Sequence, residues 1–582
     1  MSAASSHSRE RVLAQVERIL ASREFTRSQR LCRFLRFAAQ RSLAGESDQL
    51  KEQLIGVEVF DRKTDYDPRI DPIVRVEARR LRSKLKTYYA AEGRDDDLIV
   101  GLPKGSYALM VETCAAPAKP VAIPATPTGA ESIAVLPFAN LTPDDVYFSD
   151  GLTEELIHRL TRIRDLRVVA WNTALQVRGR EHDLGEIRRL LNVRTVLRGS
   201  VRRDANRVRV TAQLVESESG TVLWSEVYDR NIESVFAIQD EIARAIVQAL
   251  QLRFTAQRTD STPDLAYYNL CLQGRFFANK RTKEGLQKSA ERFEEAIRLD
   301  ASGARAHAGL ADTYSLLADY GLLSPREAFP KAKQAAQLAL ELDPYSSEAN
   351  VALAFVRSLF EWKWSEAETL YRTAIELNPG NSHAHHWFGL DFLALLGRLD
   401  EALPEVRLAV ELDPLSSIIR EGWGYLHTLR RDYGTAFAVY QTVVDLHPDF
   451  YKGYASMGRV LSLMGRYSEA LEALEKARTL SGALPNLLAA AAQTHALAGH
   501  REKALTLLDE LEAMRKVRWV PESSLGIVHL GLGDLRTALK HFEAAADLRE
   551  LAVAALYAHP LYDPLRSEPG YEKLIRRIGF LP

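Results

Sequence analysis

Between Arg75 and Tyr89 the chain reads RVEARRLRSKLKTYY, six basic residues and one acid in fifteen positions, although the formal charge of all 582 residues is only −1. At 100° per residue Val74, Ala78, Leu81, Leu85 and Tyr88 share one apolar stripe, the pattern of a helix that buries one face. Arg75, Arg79, Arg82 and Lys86 recur one helical turn apart beside that stripe. Val76, Ser83 and Thr87 form an outward strip between this row and Arg80. Cations at such spacing suit a regularly charged polyanion, and arginine can donate two parallel hydrogen bonds to one guanine. A basic helical row can equally be a solvated surface, so neighbouring segments must decide.

The charge is concentrated rather than uniform. Residues 1–112 hold 21 Lys+Arg against 17 Asp+Glu, a surplus of four, and the remainder holds 55 against 60. A basic head on an acidic body implies that only the head meets a polyanion. Cys32, Cys114 and Cys271 lie far apart with no CxxC or metal spacing, which argues for a reducing compartment. The polar start MSAASSHSRERVLAQ lacks a signal-peptide apolar core, and no apolar run is long enough to span a bilayer. The expectation is a cytoplasmic protein without membrane contact.

Other chemistry is sparse. GLPKGSY has glycine and lysine but not the GxxxxGK[ST] spacing of a phosphate loop. His383, His385 and His386 open a helix with no matching carboxylates or thiolates, so groove or surface histidines are expected and no metal. Trp362, Trp364, Trp387 and Trp423 read mainly as helix packing. No nucleophile–base pair, paired carboxylates or cofactor loop stands out, so neither enzyme activity nor a cofactor is expected.

Around the basic helix, SQRLCRFLRFAAQRSLAG and DQLKEQLIGVEVF read as two further amphipathic helices. Two strands, Leu98–Leu102 and Ser106–Val111, flank the turn Pro103-Lys104-Gly105. With RLRSKL and KGSYALMV this arrangement resembles the winged helix-turn-helix of the OmpR and CadC type. That resemblance implies a third helix in the DNA major groove and a hairpin wing at the adjacent minor groove. Carried over, Arg75, Val76, Arg79, Arg80 and Ser83 face the groove, Arg82 and Lys86 meet phosphates, and Lys104 sits at the wing tip. The family's leading sheet is missing; RERVLAQVERILAS, a helix, stands in its place. CadC-type proteins also carry a membrane helix after the wing, where this chain has a Pro/Ala linker.

The expected organisation is a winged helix over 1–112, a linker over 113–130, an α/β domain over 131–256, repeats over 264–550 and a cap over 551–582. In the middle, SIAVLPF and LRVVAW read as strands and SDGLTEELIHRLTRI as a helix capped near Ser149 or Asp150. NRVRVTAQLVES alternates apolar and polar residues between two further strands, and FAIQDEIARAIVQALQ closes with a helix. SIAVLPFANL, FSDGLTEEL, LRGSVRR and VYDRNIESVFAIQDEIA resemble the TolB-N-terminal-like domain, which implies a fold and little about chemistry.

Pro344, Pro379, Pro414 and Pro448 close four similar segments at spacings of 35, 35 and 34. YASMGRVLSLMGRYSEALEALEKA resembles the tetratricopeptide (TPR) helix–turn–helix unit, with small residues where two helices must cross closely. About eight such units are expected, the second stretched around DYGLLSPREAF and the fourth carrying one extra residue before Gly397. The combined reading is a multidomain, mainly α protein: winged helix, α/β TolB-like domain and α-helical TPR superhelix. It implies a transcription regulator that binds double-stranded DNA through its head and a protein or peptide partner on the TPR concave face. A repurposed protein-binding winged helix, a TPR scaffold that binds no DNA, and a regulatory subunit attached to an enzyme remain alternatives.

Overall fold

The computed structural model describes residues 9–113, 131–231 and 265–580 apart from short gaps, together with isolated residues between 238 and 249. Two compact units emerge, Met1–Val121 and Ala122–Pro582.

The first unit contains α1 (Arg9–Ala21), α2 (Gln29–Leu43), α3 (Glu52–Phe60) and α4 (Ile73–Ala90), followed by β1 (Leu98–Gly101) and β2 (Met110–Thr113). The strands pair antiparallel, Leu98 opposite Thr113 and Gly101 opposite Met110. Val74, Ala78, Leu81, Leu85 and Tyr88 are buried as their spacing requires, against Phe34, Leu35 and Ile55. The second strand differs from expectation: it starts at Met110, not Ser106. The intervening residues are held by side chains instead of a ladder. Arg82 binds the carbonyls of Leu102, Pro103 and Ser106, Tyr107 Oη donates to Glu52, and Ser42 Oγ accepts from the Leu109 amide.

The second unit begins with β3 (Glu131–Val135), β4 (Ala139–Asn140), α5 (Val146–Thr161), β5 (Leu166–Val168), α6 (Trp171–Gln176) and α7 (Leu184–Leu191). It continues through β6 (Thr195–Asp204), β7 (Arg207–Glu216) and β8 (Val222–Asn231). The sheet order is β5-β3-β6-β7-β8, parallel on the β5-β3-β6 side and antiparallel beyond, with β4 also pairing β6. Val208, Val210, Ala212 and Leu214 are buried on one face of β7, and Arg207 and Arg209 are exposed on the other. Ser149 and Asp150 lie inside α5 rather than capping it. The second expected strand, LRVVAW, ends at Val168 because α6 already starts at Trp171. Of the expected closing helix, Ile238, Ile242 and Ile246 are buried in the core and the residues between lie largely outside the described set.

Eight helix pairs follow between Leu265 and Asp547 among the described residues. Ala367, Ala374, Ala402, Ala409 and Ala436 are buried where paired helices touch. A Cβ on Gly458 would come within 2.7 Å of Leu474, so only glycine permits that crossing. The units bounded by the two 35-residue spacings each contain a wider π-type turn, Val356–Phe360 and Phe388–Ala394, which absorbs the extra residue. The 34-residue unit between Pro414 and Pro448 has unbroken α-helices, Ser417–Leu429 and Tyr433–Leu446.

The sheet domain docks along the turns that hand one helix pair to the next. Glu155 on α5 receives both guanidinium nitrogens of Arg305, at 2.7 and 3.0 Å. Thr173 on α6 donates to Asp413 at 2.6 Å and accepts from the Leu415 amide at 2.8 Å. The Ala170 amide bonds Leu412 O, and Gln176 bonds Leu415 O. Replacing Arg305 by Ala leaves the buried Glu155 carboxylate with Arg159 alone, at 3.3 Å, and is expected to destabilise this unit by on the order of 3 kcal/mol. Chemical denaturation of the full chain checks this; the double variant Arg305→Met with Glu155→Gln should recover most of the loss.

Candidate nucleic-acid interface and repeat chamber

Along α4 the exposed positions are Arg75, Val76, Arg79, Arg80, Ser83 and Thr87, a continuous face opposite the core. Val76, 45% exposed, is an apolar side chain set among cations. Arg79 has no hydrogen-bond or ion-pair partner among the described residues. Arg75 is braced by Glu52 at 3.0 Å and by Pro68 O at 3.2 Å. Arg80 pairs with the largely buried Glu77 at 2.9 Å. Each brace limits the rotamers its guanidinium samples while leaving it accessible. Arg82 is different: its donors are spent on the three carbonyls of the hairpin approach, so it positions the hairpin and is not offered outward. The Lys86 side chain and all of Lys104 lie outside the described residues.

A groove beside this face is lined by Ser28, Gln29 and Arg30 at the start of α2 and by Arg80, Ser83 and Lys84 of α4. The sequence reading passed over Arg30; its position two residues after Ser28, in the first turn where a helix start leaves amides unpaired, was the available signal. Lys84 is turned back to the Glu24 carbonyl and lies 3.6 Å from its carboxylate.

The N-terminal helix α1 is built into this unit by one buried carboxylate. Asp96 accepts from Gln15 Nε2 at 2.5 Å, Arg18 Nη1 at 2.8 Å and Tyr88 Oη at 2.6 Å, joining α1 to α4. Burial opposes the Asp96 charge, but these donors outweigh burial and hold its carboxyl below the usual range. Burial, reinforced by the Glu52 hydrogen bond, pushes the Tyr107 phenol up to about 12.

In the second unit the helix pairs surround a chamber of about 430 Å³. Asp391, Glu421, Lys452 and Arg459 reach it from three helical segments, the last two from the same helix, with Tyr320, Tyr425 and Trp387 supplying aromatic walls. Its remaining wall comes from the C-terminal segment, which turns back on the repeats: Trp364 Nε1 donates to Ile578 O at 2.8 Å, and Arg549 lies over the Trp362 ring at 3.5 Å. The expected C-terminal cap therefore does more than end the stack. Of the three histidines, His385 bonds Glu405 at 2.6 Å, His383 meets the Trp387 ring edge, and His386 lines the chamber. Among the described residues no group of three or more His, Cys, Asp and Glu side chains is disposed to hold a metal, and no helix is long and apolar enough to cross a membrane.

Comparison with known proteins defines the class of two segments. Residues 129–245 match the second domain of HilA/YgeH-like transcriptional regulators, and residues 363–417 and 451–482 match tetratricopeptide repeats. The chain thus carries a regulator-type domain together with TPR units. Among individual relatives, a candidate adenylate cyclase 3 of Rhizobium meliloti (strain 1021) is 38% identical over 199 residues, 33% of each chain. The transcriptional regulator HilA of Salmonella typhimurium is 24% identical over 195 residues, 33% of this chain and 35% of that protein. The match spans about a third of the length of these relatives. Among solved structures, Pseudomonas aeruginosa pilF is 21% identical, covering 39% of this chain and 96% of that one at a TM-score of 0.29. A tetratricopeptide repeat protein from Parabacteroides merdae is 18% identical, covering 46% and 99% at a TM-score of 0.33.

Two outcomes are expected for the first unit. Because the Asp96 carboxyl is depressed on folding, its contribution is present above the ordinary carboxylate range and disappears as pH falls through the lowered value. Hydrogen exchange in α1 and α4, corrected for intrinsic pH dependence, should therefore lose protection in acid; Asp96→Ala should remove about 2 kcal/mol of protection already at neutral pH. Arg82→Ala should speed exchange selectively in residues 98–113 and leave α1 unchanged.

Proposed function

We propose that the chain is a transcription regulator whose first unit is a winged helix-turn-helix that binds double-stranded DNA. Its second unit combines a TolB-like domain with TPR units as a non-catalytic sensory and partner-binding body. The observation that carries this reading is the exposed face of α4, where Arg75, Val76, Arg79, Arg80 and Ser83 point away from the core beside a two-stranded hairpin. The HilA/YgeH-like match supports the regulatory role.

On this reading Arg79, accessible and unpaired among the described residues, contacts phosphate, and Lys104 and Lys86 add backbone contacts. Arg75 and Arg80, held by Glu52 and Glu77, present preoriented guanidinium groups to base edges, and Ser83 and Val76 complete that surface. Arg82, assigned to phosphate by its place in the helical row, instead fixes the wing. The docking of the sheet domain on the repeat turns supports a body that responds as one piece.

The test is binding of the full chain to duplex DNA across a salt series. Four neutralised phosphates give a slope of log K against log salt of roughly −3.6. Arg79→Ala should weaken all sequences alike and flatten the slope by about 0.9. Arg80→Ala should cost about 1–3 kcal/mol on the preferred site and relax its specificity. A chain that binds neither specific nor random duplex at low salt would overturn the reading in favour of a TPR adaptor.

A further inference from the structure

The chamber inside the helix pairs contains polar groups that the protein itself does not satisfy. His386 is 5% exposed and its Nδ1 has no hydrogen-bond partner; Tyr320 is 8% exposed and its hydroxyl has none. Both residues line the chamber. Both atoms are sealed within the chamber wall, the His386 ring packing against Gly422, so they do not by themselves call for an occupant.

The charges specify an occupant. Lys452 is spent on Asp319 at 2.8 Å and on the Tyr320 ring, 3.7 Å from its centroid. Glu421 takes the Ser456 hydroxyl. Asp391 and Arg459 remain without a hydrogen-bond or ion-pair partner among the described residues, and both line the same space. Burial first, and then the nearby Asp319 charge, push the Asp391 carboxyl well up, while the Lys452 ammonium opposes that shift.

One lone carboxyl group, one lone guanidinium and aromatic walls in a volume of about 430 Å³ match a small molecule with an ammonium, a carboxylate and an apolar ring. They do not suit a helix of a partner protein. Both π-type turns border this space, since Leu359 and Asp391 lie on them and line it. Such turns widen a helix at a cost that function commonly explains.

We propose that the repeat chamber binds a free aromatic α-amino acid, with its ammonium at Asp391, its carboxylate at Arg459 and its ring against Tyr320, Trp387 and Tyr425. This rests on the second unit being the sensory body of the regulator proposed above, and it names the signal. Because residues of the C-terminal segment form part of the wall, occupancy would tighten that segment onto the repeats.

The test is isothermal titration and thermal unfolding of the full chain with L-phenylalanine, L-tyrosine and L-tryptophan. Phenethylamine and N-acetyl-L-phenylalanine each remove one of the two ligand charges. At least one amino acid should bind and raise the unfolding midpoint with concentration, and both single-charge probes should bind at least ~10-fold more weakly. Asp391→Asn removes a buried unpaired acid, so the ligand-free midpoint should stay level or rise while ligand binding falls at least ~10-fold. Arg459→Met should abolish binding of the amino acid and leave that of phenethylamine unchanged. No binding by any of the three at millimolar concentration overturns the proposal. Equal binding of the single-charge probes also overturns it. DNA binding by the same preparations is scored separately: a chain that binds amino acid but no duplex refutes the regulator, not the chamber.

Discussion

Much of the second unit depends on one constraint: buried polar groups of the sheet domain must find partners, and they find them on the turns between helix pairs. Buried Glu155 is held by Arg305 from the repeats as well as by Arg159 of its own helix. Thr173 meets both a carboxylate and an amide of the Asp413–Leu415 turn. Burial, only partly offset by hydrogen bonds from Thr173 and Asn172, raises the Asp413 carboxyl to about 6. These contacts are directional, so the domain is held in one pose where apolar packing alone would permit sliding. The sheet domain and the first five helix pairs are consequently parts of one body.

Closure at the other end follows the same logic with different chemistry. The last residues return to Trp362 and Trp364 through a ring-stacked arginine and an indole hydrogen bond. Stacked helix pairs otherwise contact only their neighbours, and their stability is a sum of local terms. A contact between residues 364 and 578 breaks that one-dimensional rule and links distant pairs. It also gives the chamber a wall that no single repeat could supply.

In the first unit, charge serves two purposes that sequence position does not separate. Arg79 and Arg82 belong to the same helical row, yet one is accessible and the other is sewn into the hairpin. The difference arises because the carbonyls of Leu102, Pro103 and Ser106 lack ladder partners and capture the nearest guanidinium. Asp96 plays the corresponding part elsewhere in this unit, gathering α1 to α4.

What the sequence by itself determined is everything that repeats locally. The 3.6-residue period marked the buried stripe of α4, the alternation over 207–214 marked β7, and the spacing of prolines marked the helix pairs. Even the π-type turns were written there as 35-residue intervals beside one of 34, although only the backbone shows where the extra residue goes. Tertiary structure alone decided the rest. Tyr107 and Leu109 alternate as a strand would, but their destinations, Glu52 and Ser42, are 55 and 67 residues away. Asp413 sits in an ELDP segment much like its counterparts, and only the surface opposite made it a docking residue. Backbone geometry imposes its period on neighbours along the chain, whereas the pairing of distant side chains depends on which surfaces meet, and that leaves no periodic trace in the sequence.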